Sequence, residues 1–241
     1  MKKIFLIFII FCFSISLYSQ IGGLSASKLN TMTAESVAKN QIEFEPAFSI
    51  TATKGFGYNR FDSPIYNNSF GFRFTYGAFK NTEFGFSVPF DMSNFQFGSK
   101  FMFFSKDQIS SAFFGGLNID FSTTIPEYQA GGGVILSTQN SEIFSTDLQI
   151  GYIYSFHEYN PNGFYVNMDN GVYIGKIQYI LGANFLKNID LISNYELWLT
   201  PGITIEPAKN FLLVLMYPFT VYGDYYYTRR SFNFALTITL F

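Results

Sequence analysis

The chain holds a single histidine, His157, within "SFHEYNPNG", residues 155 to 163. A histidine can serve as general base toward a serine hydroxyl in acyl hydrolysis. Lipolytic enzymes of bacterial membranes set that serine two residues after the histidine, with an asparagine beside it. Here Tyr159 stands in the serine's place, and Ser155 lies two residues before the histidine instead. The spacing assigns no catalysis to His157, which reads as a loop side chain. No phosphate loop, HExxH pair or paired metal-ligand spacing occurs. Cys12 is the only cysteine and falls in a segment read below as removed. Thiol chemistry, disulfides and cysteine-ligated metals therefore carry no function in the mature chain. No residue is assigned to catalysis, to a cofactor or to a metal.

The other groups able to do chemistry are scattered charges: Glu43, Glu45, Arg73, Glu83, Lys100, Asp120, Asp147, Glu196 and Glu206. Each lies in a stretch of alternating oily and small polar residues, on the polar side. They are spread over different stretches, so no acid/base pair can be picked out. Two readings stay open. Carboxylates and bases can form an internal hydrogen-bonded network that keeps a structure shut. They can also line an acidic, cation-preferring passage.

The elements that must position these charges follow from composition and period. The formal net charge is -2, with 13% charged and 21% aromatic residues. No basic patch exists, which excludes nucleic acid as a partner. So little charge beside so many rings fits a chain whose solvent is partly lipid. The mature chain has no apolar run of about 20 residues, so no spanning helix is available. A closed barrel is the other backbone solution in a bilayer.

The first residues read as an export signal. "MKK" is the basic head and "IFLIFIIFCFSISL" the apolar core; Ser19 precedes the expected cut, although Leu17 departs from the small residue usual two places before it. The expected organisation is a signal peptide over 1–19, a periplasmic N-terminal segment over 20–40 and a barrel over 41–241. The segment over 20–40 is small and polar, with one short helical turn expected near Ala34 to Ala38.

From Gln41 onward the period is 2. Ile42, Phe44, Pro46, Phe48 and Ile50 oppose Glu43, Glu45, Ala47 and Ser49; Phe70, Phe72, Phe74 and Tyr76 oppose Gly71, Arg73 and Thr75. Further runs follow to the closing "SFNFALTITLF". The spacing predicts an all-β, transmembrane, antiparallel up-and-down barrel of about 12 strands. Short turns at 79–82, 105–108 and 207–210 fall on one end, expected periplasmic. Long connections at 54–69 and 220–229 fall on the other. A hairpin in "NMDNGVYIGK" can close at Asn170-Gly171 or at Gly175-Lys176. Pro46, Pro89, Pro201 and Pro218 are expected at strand ends or bulges. A soluble sandwich does not fit, because its outer face would be rich in Lys and Glu. The polar face here is Gly, Ser, Thr, Asn and Gln. The last strand must pair with residues 41 to 52 to leave no open edge.

"TAESVAKNQIEFEPAFSI" and "FGFRFTYGAFKNTEFGFSVPF" resemble a bacterial outer-membrane family, the transporters of the MetA pathway of phenol degradation. Glu35-Ser36, Lys39, Gln41, Ile42, Glu43 and Phe48 carry the first match. Tyr76-Gly77, Asn81, Glu83, Gly85 and Val88-Pro89-Phe90 carry the second. The resemblance spans about residues 33 to 90. It lacks the aspartate-arginine-proline segment many members carry before the first strand. It implies passage of small, often hydrophobic, molecules across the outer membrane. Phe241 also resembles the C-terminal signal read by the barrel-assembly machinery.

The expected function is a passive, monomeric channel or transporter for a small-molecule solute, held in outer-membrane lipid and needing no cofactor. The alternative is a closed structural or binding barrel. Its outer loops, rich in Tyr66, Tyr222 and Tyr225 to Tyr227, would recognise a partner or glycan.

Overall fold

The computed structural model describes residues 24, 31–55, 64–122, 124–157, 162–189, 195–223 and 227–240. The expected signal peptide, Tyr225, Tyr226 and Phe241 lie outside the described residues.

Strands run in sequence order: β1 (Ile42–Gly55), β2 (Ile65–Phe79), β3 (Thr82–Pro89), β4 (Asn94–Lys106), β5 (Ile109–Asp120), β6 (Glu127–Thr138), β7 (Phe144–Ser155), β8 (Gly163–Ile174), β9 (Ile177–Asn188), β10 (Tyr195–Ala208), β11 (Phe211–Met216), β12 (Phe219–Gly223) and β13 (Tyr227–Leu240). Every neighbouring pair is antiparallel, and β1 pairs with β13 to close the sheet. Both β11 and β12 lie between β10 and β13, so they are two halves of one stave in a barrel of 12.

Alternation is what fixes the two faces. Phe84, Phe86, Phe97, Phe101, Phe113, Tyr179, Leu181 and Phe232 point outward and are exposed, whereas Arg73, Glu83, Lys100, Asp147, Gln149 and Asn167 are buried. An exposed face of rings around a buried face of charges is inverted relative to a water-soluble domain. The outer solvent must be hydrocarbon. Rings also align across strands. Phe44, Phe74 and Phe86 are register partners in turn, with centroids 4.7 and 4.9 Å apart. Such pairs stabilise a sheet beyond the area they cover.

Most short turns sit at one end of the barrel. Asn81, Asp107 and Gly175 take φ of 68°, 52° and 64° there, as tight hairpins require. The tight β3–β4 connection over 90–93, with Met92 at φ 56°, lies at the other end. The 167–176 hairpin closes at Gly175-Lys176, and Asn170-Gly171 stays inside β8. Longer connections gather at the opposite end.

The prolines do not all lie where expected. Pro89 ends β3, and Pro218 lies between β11 and β12. Pro46 stands in mid-strand, where pairing with β13 lapses over Glu45 and Pro46 without a register shift while pairing with β2 continues. Pro201 is also mid-strand, facing the interruption between β11 and β12; the N–H of Tyr217 still reaches its carbonyl at 2.9 Å. A ring without an N–H is tolerated where the facing strand asks for none.

Two glycines test this packing. A Cβ on Gly133 would lie 2.0 Å from the Ile150 carbonyl oxygen, whereas one on Gly175 would meet nothing. Gly133→Ala should sharply lower the yield of folded, heat-modifiable barrel. Gly175→Ala should cost only about 1 kcal/mol in urea unfolding, from its positive φ.

Candidate functional site

The inward-facing charges form two groups near the short-turn end. On β2, the Arg73 guanidinium reaches Glu45 at 2.7 Å and Glu43 at 4.0 Å. Glu45 also accepts the hydroxyl of Thr237 on β13, tying the closing seam. On the next pair, Lys100 Nζ lies 3.1 Å from Glu83 Oε1, with both side chains fully buried. A buried pair of this kind is held by geometry and extra hydrogen bonds, since desolvation opposes it.

Those extra bonds go to the N-terminal segment, which corrects its expected place outside the barrel. Lys100 donates to the Thr33 carbonyl at 2.8 Å, and Glu83 accepts from the Val37 N–H at 2.8 Å. Farther round the wall, Ser137 on β6 accepts from the Ala34 N–H at 2.8 Å. Gln149 on β7 accepts from Met32 at 3.2 Å, and Asp169 on β8 from Thr31 at 3.0 Å. Arg73 donates back to the Leu24 carbonyl at 2.6 Å. The segment thus crosses the lumen, touching staves from β2 to β8.

Its described residues have no regular structure of their own, and the helical turn expected near Ala34 to Ala38 is absent. Its peptide groups are satisfied by wall side chains instead, as buried backbone demands. Leu24, Met32 and Ala34 pack against Ala112, Phe114, Ile135 and Tyr165, all buried. Gly77 is the point of closest approach: a Cβ there would fall 2.1 Å from the Ala38 carbonyl oxygen. The Asn40 N–H bonds the Gly77 carbonyl at 2.7 Å, turning the chain into β1.

The remaining charges lie elsewhere. Asp147 is buried and faces Asp169 directly across β7 and β8. Glu196 accepts from the Trp198 indole at 2.9 Å near the long-loop end. Asp120 caps the turn after β5 through the Ser122 N–H at 2.8 Å. Glu206 is exposed at the short-turn end and joins no group. At His157, Ser155 Oγ meets the backbone N–H and carbonyl at 3.4 Å. That is a turn contact with main chain, not a nucleophile–base bond.

Sequence reasoning passed over Asp169, Gln149, Ser137 and Tyr165. The signal was there in parity: Tyr165, Asn167 and Asp169 share one face of β8, as do Asp147 and Gln149 on β7.

The opposite wall carries a small apolar patch set among polar side chains, with Gln178, Thr200, Thr204 and Thr237 buried on the same staves. Ile180, Val214 and Ala235 are buried together, with Ala47, Leu212 and Met216 packed on them. This wall includes the interrupted stave. There the outer face carries a shallow, open apolar depression bordered by Tyr179, Pro201, Ile203, Leu215, Tyr217 and Phe232.

No family model matches the chain, and no curated protein does. Solved structures do. An outer-membrane channel from Pseudomonas putida F1 aligns with a TM-score of 0.65 at 8% identity, covering 88% of this chain and all, 100%, of that one. The KdgM porin aligns at 0.57 and 8%, covering 79% of this chain and 97% of that one. TodX, a monoaromatic hydrocarbon channel, aligns at 0.55 and 8%, covering 85% and 91%. At these identities the likeness is one of fold: the chain has the closed barrel of outer-membrane channels.

The buried pair yields a double-mutant test. Lys100→Met alone should destabilise the barrel by about 3–5 kcal/mol, because buried Glu83 loses its counter-charge. Lys100→Met with Glu83→Leu should recover part of that loss. Urea titration of heat-modifiability measures both.

Proposed function

We propose that this chain is a passive outer-membrane channel for small apolar molecules, with the N-terminal segment narrowing its lumen. The single observation that carries this reading is the two-sided lumen. One wall is polar and taken up by the segment. The other carries an apolar patch over Ala47, Ile180, Val214 and Ala235, among Gln178, Thr200, Thr204 and Thr237. The patch offers a hydrocarbon-like solute an apolar contact inside the lumen.

Twelve staves give an interior between one filled by side chains and an open aqueous pore. A segment lying in such an interior leaves only a narrow route. The likeness to TodX, a monoaromatic hydrocarbon channel, accords with an apolar solute. So does the resemblance of residues 33 to 90 to transporters of the MetA pathway of phenol degradation. In this reading the barrel is a monomer, its long loops face outward from the cell, and Phe241 addresses it to the assembly machinery. It uses no cofactor, and His157 does no chemistry.

The test is reconstitution. The intact barrel in planar bilayers should show small ionic conductance. Deleting residues 24–39 should raise that conductance several-fold, about as expected for unblocking a narrow pore. Vesicles bearing the intact barrel should take up toluene faster than bare vesicles, and glucose no faster. Absence of both conductance and solute flux, even after the deletion, would overturn the reading and select a closed binding barrel.

A further inference from the structure

The outward face carries a second feature that solute passage does not use. On the half nearest the long loops, Lys187, Arg230 and Lys54 stand on the lipid-facing side of β9, β13 and β1. Arg230 and Lys54 are exposed and lie on adjacent staves, Arg230 being the register partner of Ala52. Between β9 and β13, two rings fill the same belt. Tyr195 on β10 and Tyr222 on β12 stack at 5.0 Å and 12°, and Lys187 Nζ sits 5.8 Å over the Tyr195 ring.

Read round the wall, the belt is cation, ring, ring, cation, cation. Among the described residues, no carboxylate has the outward parity on this half of any strand, and no other Lys or Arg does. An aromatic girdle alone is ordinary for a barrel, and would account for the tyrosines. It does not account for three cations confined to one arc of the rim. The depression at the interrupted stave lies on the staves of this same arc, and Phe232 borders it two residues from Arg230 on β13.

We propose that this arc binds an anionic, phosphorylated lipid of the outer leaflet. Its phosphates lie against Arg230, Lys54 and Lys187, and one acyl chain lies along the depression over Pro201, Leu215 and Phe232. Guanidinium and ammonium groups at a membrane surface hold phosphate oxygens by charge-assisted hydrogen bonds. The stacked tyrosines supply the interfacial contact between headgroup and chains. The open apolar depression supplies chain contact that a free phosphate cannot use. The site stands on the outer surface, so it does not depend on any solute passing through the lumen.

The test uses the full folded barrel in neutral detergent, with native mass spectrometry as readout. The probes are bisphosphorylated lipid A, phosphatidylethanolamine and inorganic pyrophosphate. Wild type should retain one lipid A and show weaker retention of phosphatidylethanolamine and none of pyrophosphate. The variant Lys54→Gln/Lys187→Gln/Arg230→Gln should lose lipid A affinity by roughly two orders of magnitude. Raised salt should weaken the wild type toward the variant. Heat-modifiability checks folding, and Arg230→Gln alone should give a partial loss if the triple variant folds poorly. Equal retention of lipid A by wild type and both variants would overturn the proposal. So would equal binding of phosphatidylethanolamine, or binding of pyrophosphate as tight as lipid A.

Discussion

Backbone hydrogen bonding in a solvent without water governs this molecule. A peptide group facing hydrocarbon has no partner except another peptide group, so the sheet must close on itself. Twelve register pairs from Ile42↔Leu240 to Gly55↔Tyr227 make that closure between β1 and β13. The same rule constrains proline. Pro201 and Pro218 share one interruption in the wall, where neither is asked for the donor it lacks. Closure also forces a lumen on the chain, and the lumen poses the same problem again from inside.

The N-terminal segment is the answer to that second problem. An irregular strand of chain inside a barrel brings its own unpaired N–H and C=O groups. Here Glu83, Ser137, Gln149 and Asp169 accept from it, while Lys100 and Arg73 donate to it. The inward charges thus do a structural task first. Carboxylates on the wall take up the segment's N–H groups, and the two cations take up its carbonyls while balancing the carboxylates. Small residues permit the approach: Gly77 leaves room for the Ala38 carbonyl, and Ala34 joins the buried cluster with Phe114 and Ile135. An apolar patch over Ile180, Val214 and Ala235 remains on the far side, and it is what favours an apolar solute.

Most of the barrel was legible because strand period and lipid exposure are local properties. Phe72, Phe74 and Tyr76 could be put outside and Arg73 inside from the order of letters alone. The same parity identified the partners Glu45 and Arg73, and Glu83 and Lys100, as sharing a face. It could not say that they touch a third element. Residues 31 to 40 have no period, so nothing local marks them as buried, and small polar composition reads as a lead-in. Their place is fixed by contacts up to 138 residues away in sequence, as between Thr31 and Asp169. Pro46 misled for a related reason. Its tolerance depends on which neighbour faces its missing N–H, and that is a property of the closed sheet.

The central claim is that the segment before β1 lies inside the barrel against the β2 to β8 wall. Ala34 and Ser137 report on it most directly, since the Ala34 N–H and Ser137 Oγ are 2.8 Å apart. With Cys12 changed to serine, the pair Ala34→Cys and Ser137→Cys should form a disulfide under mild oxidation in the membrane-embedded protein, because the two backbones are within bridging reach. The product would show as a mobility shift reversed by reductant. No cross-link, together with free labelling of position 34 by a water-soluble maleimide, would contradict the account.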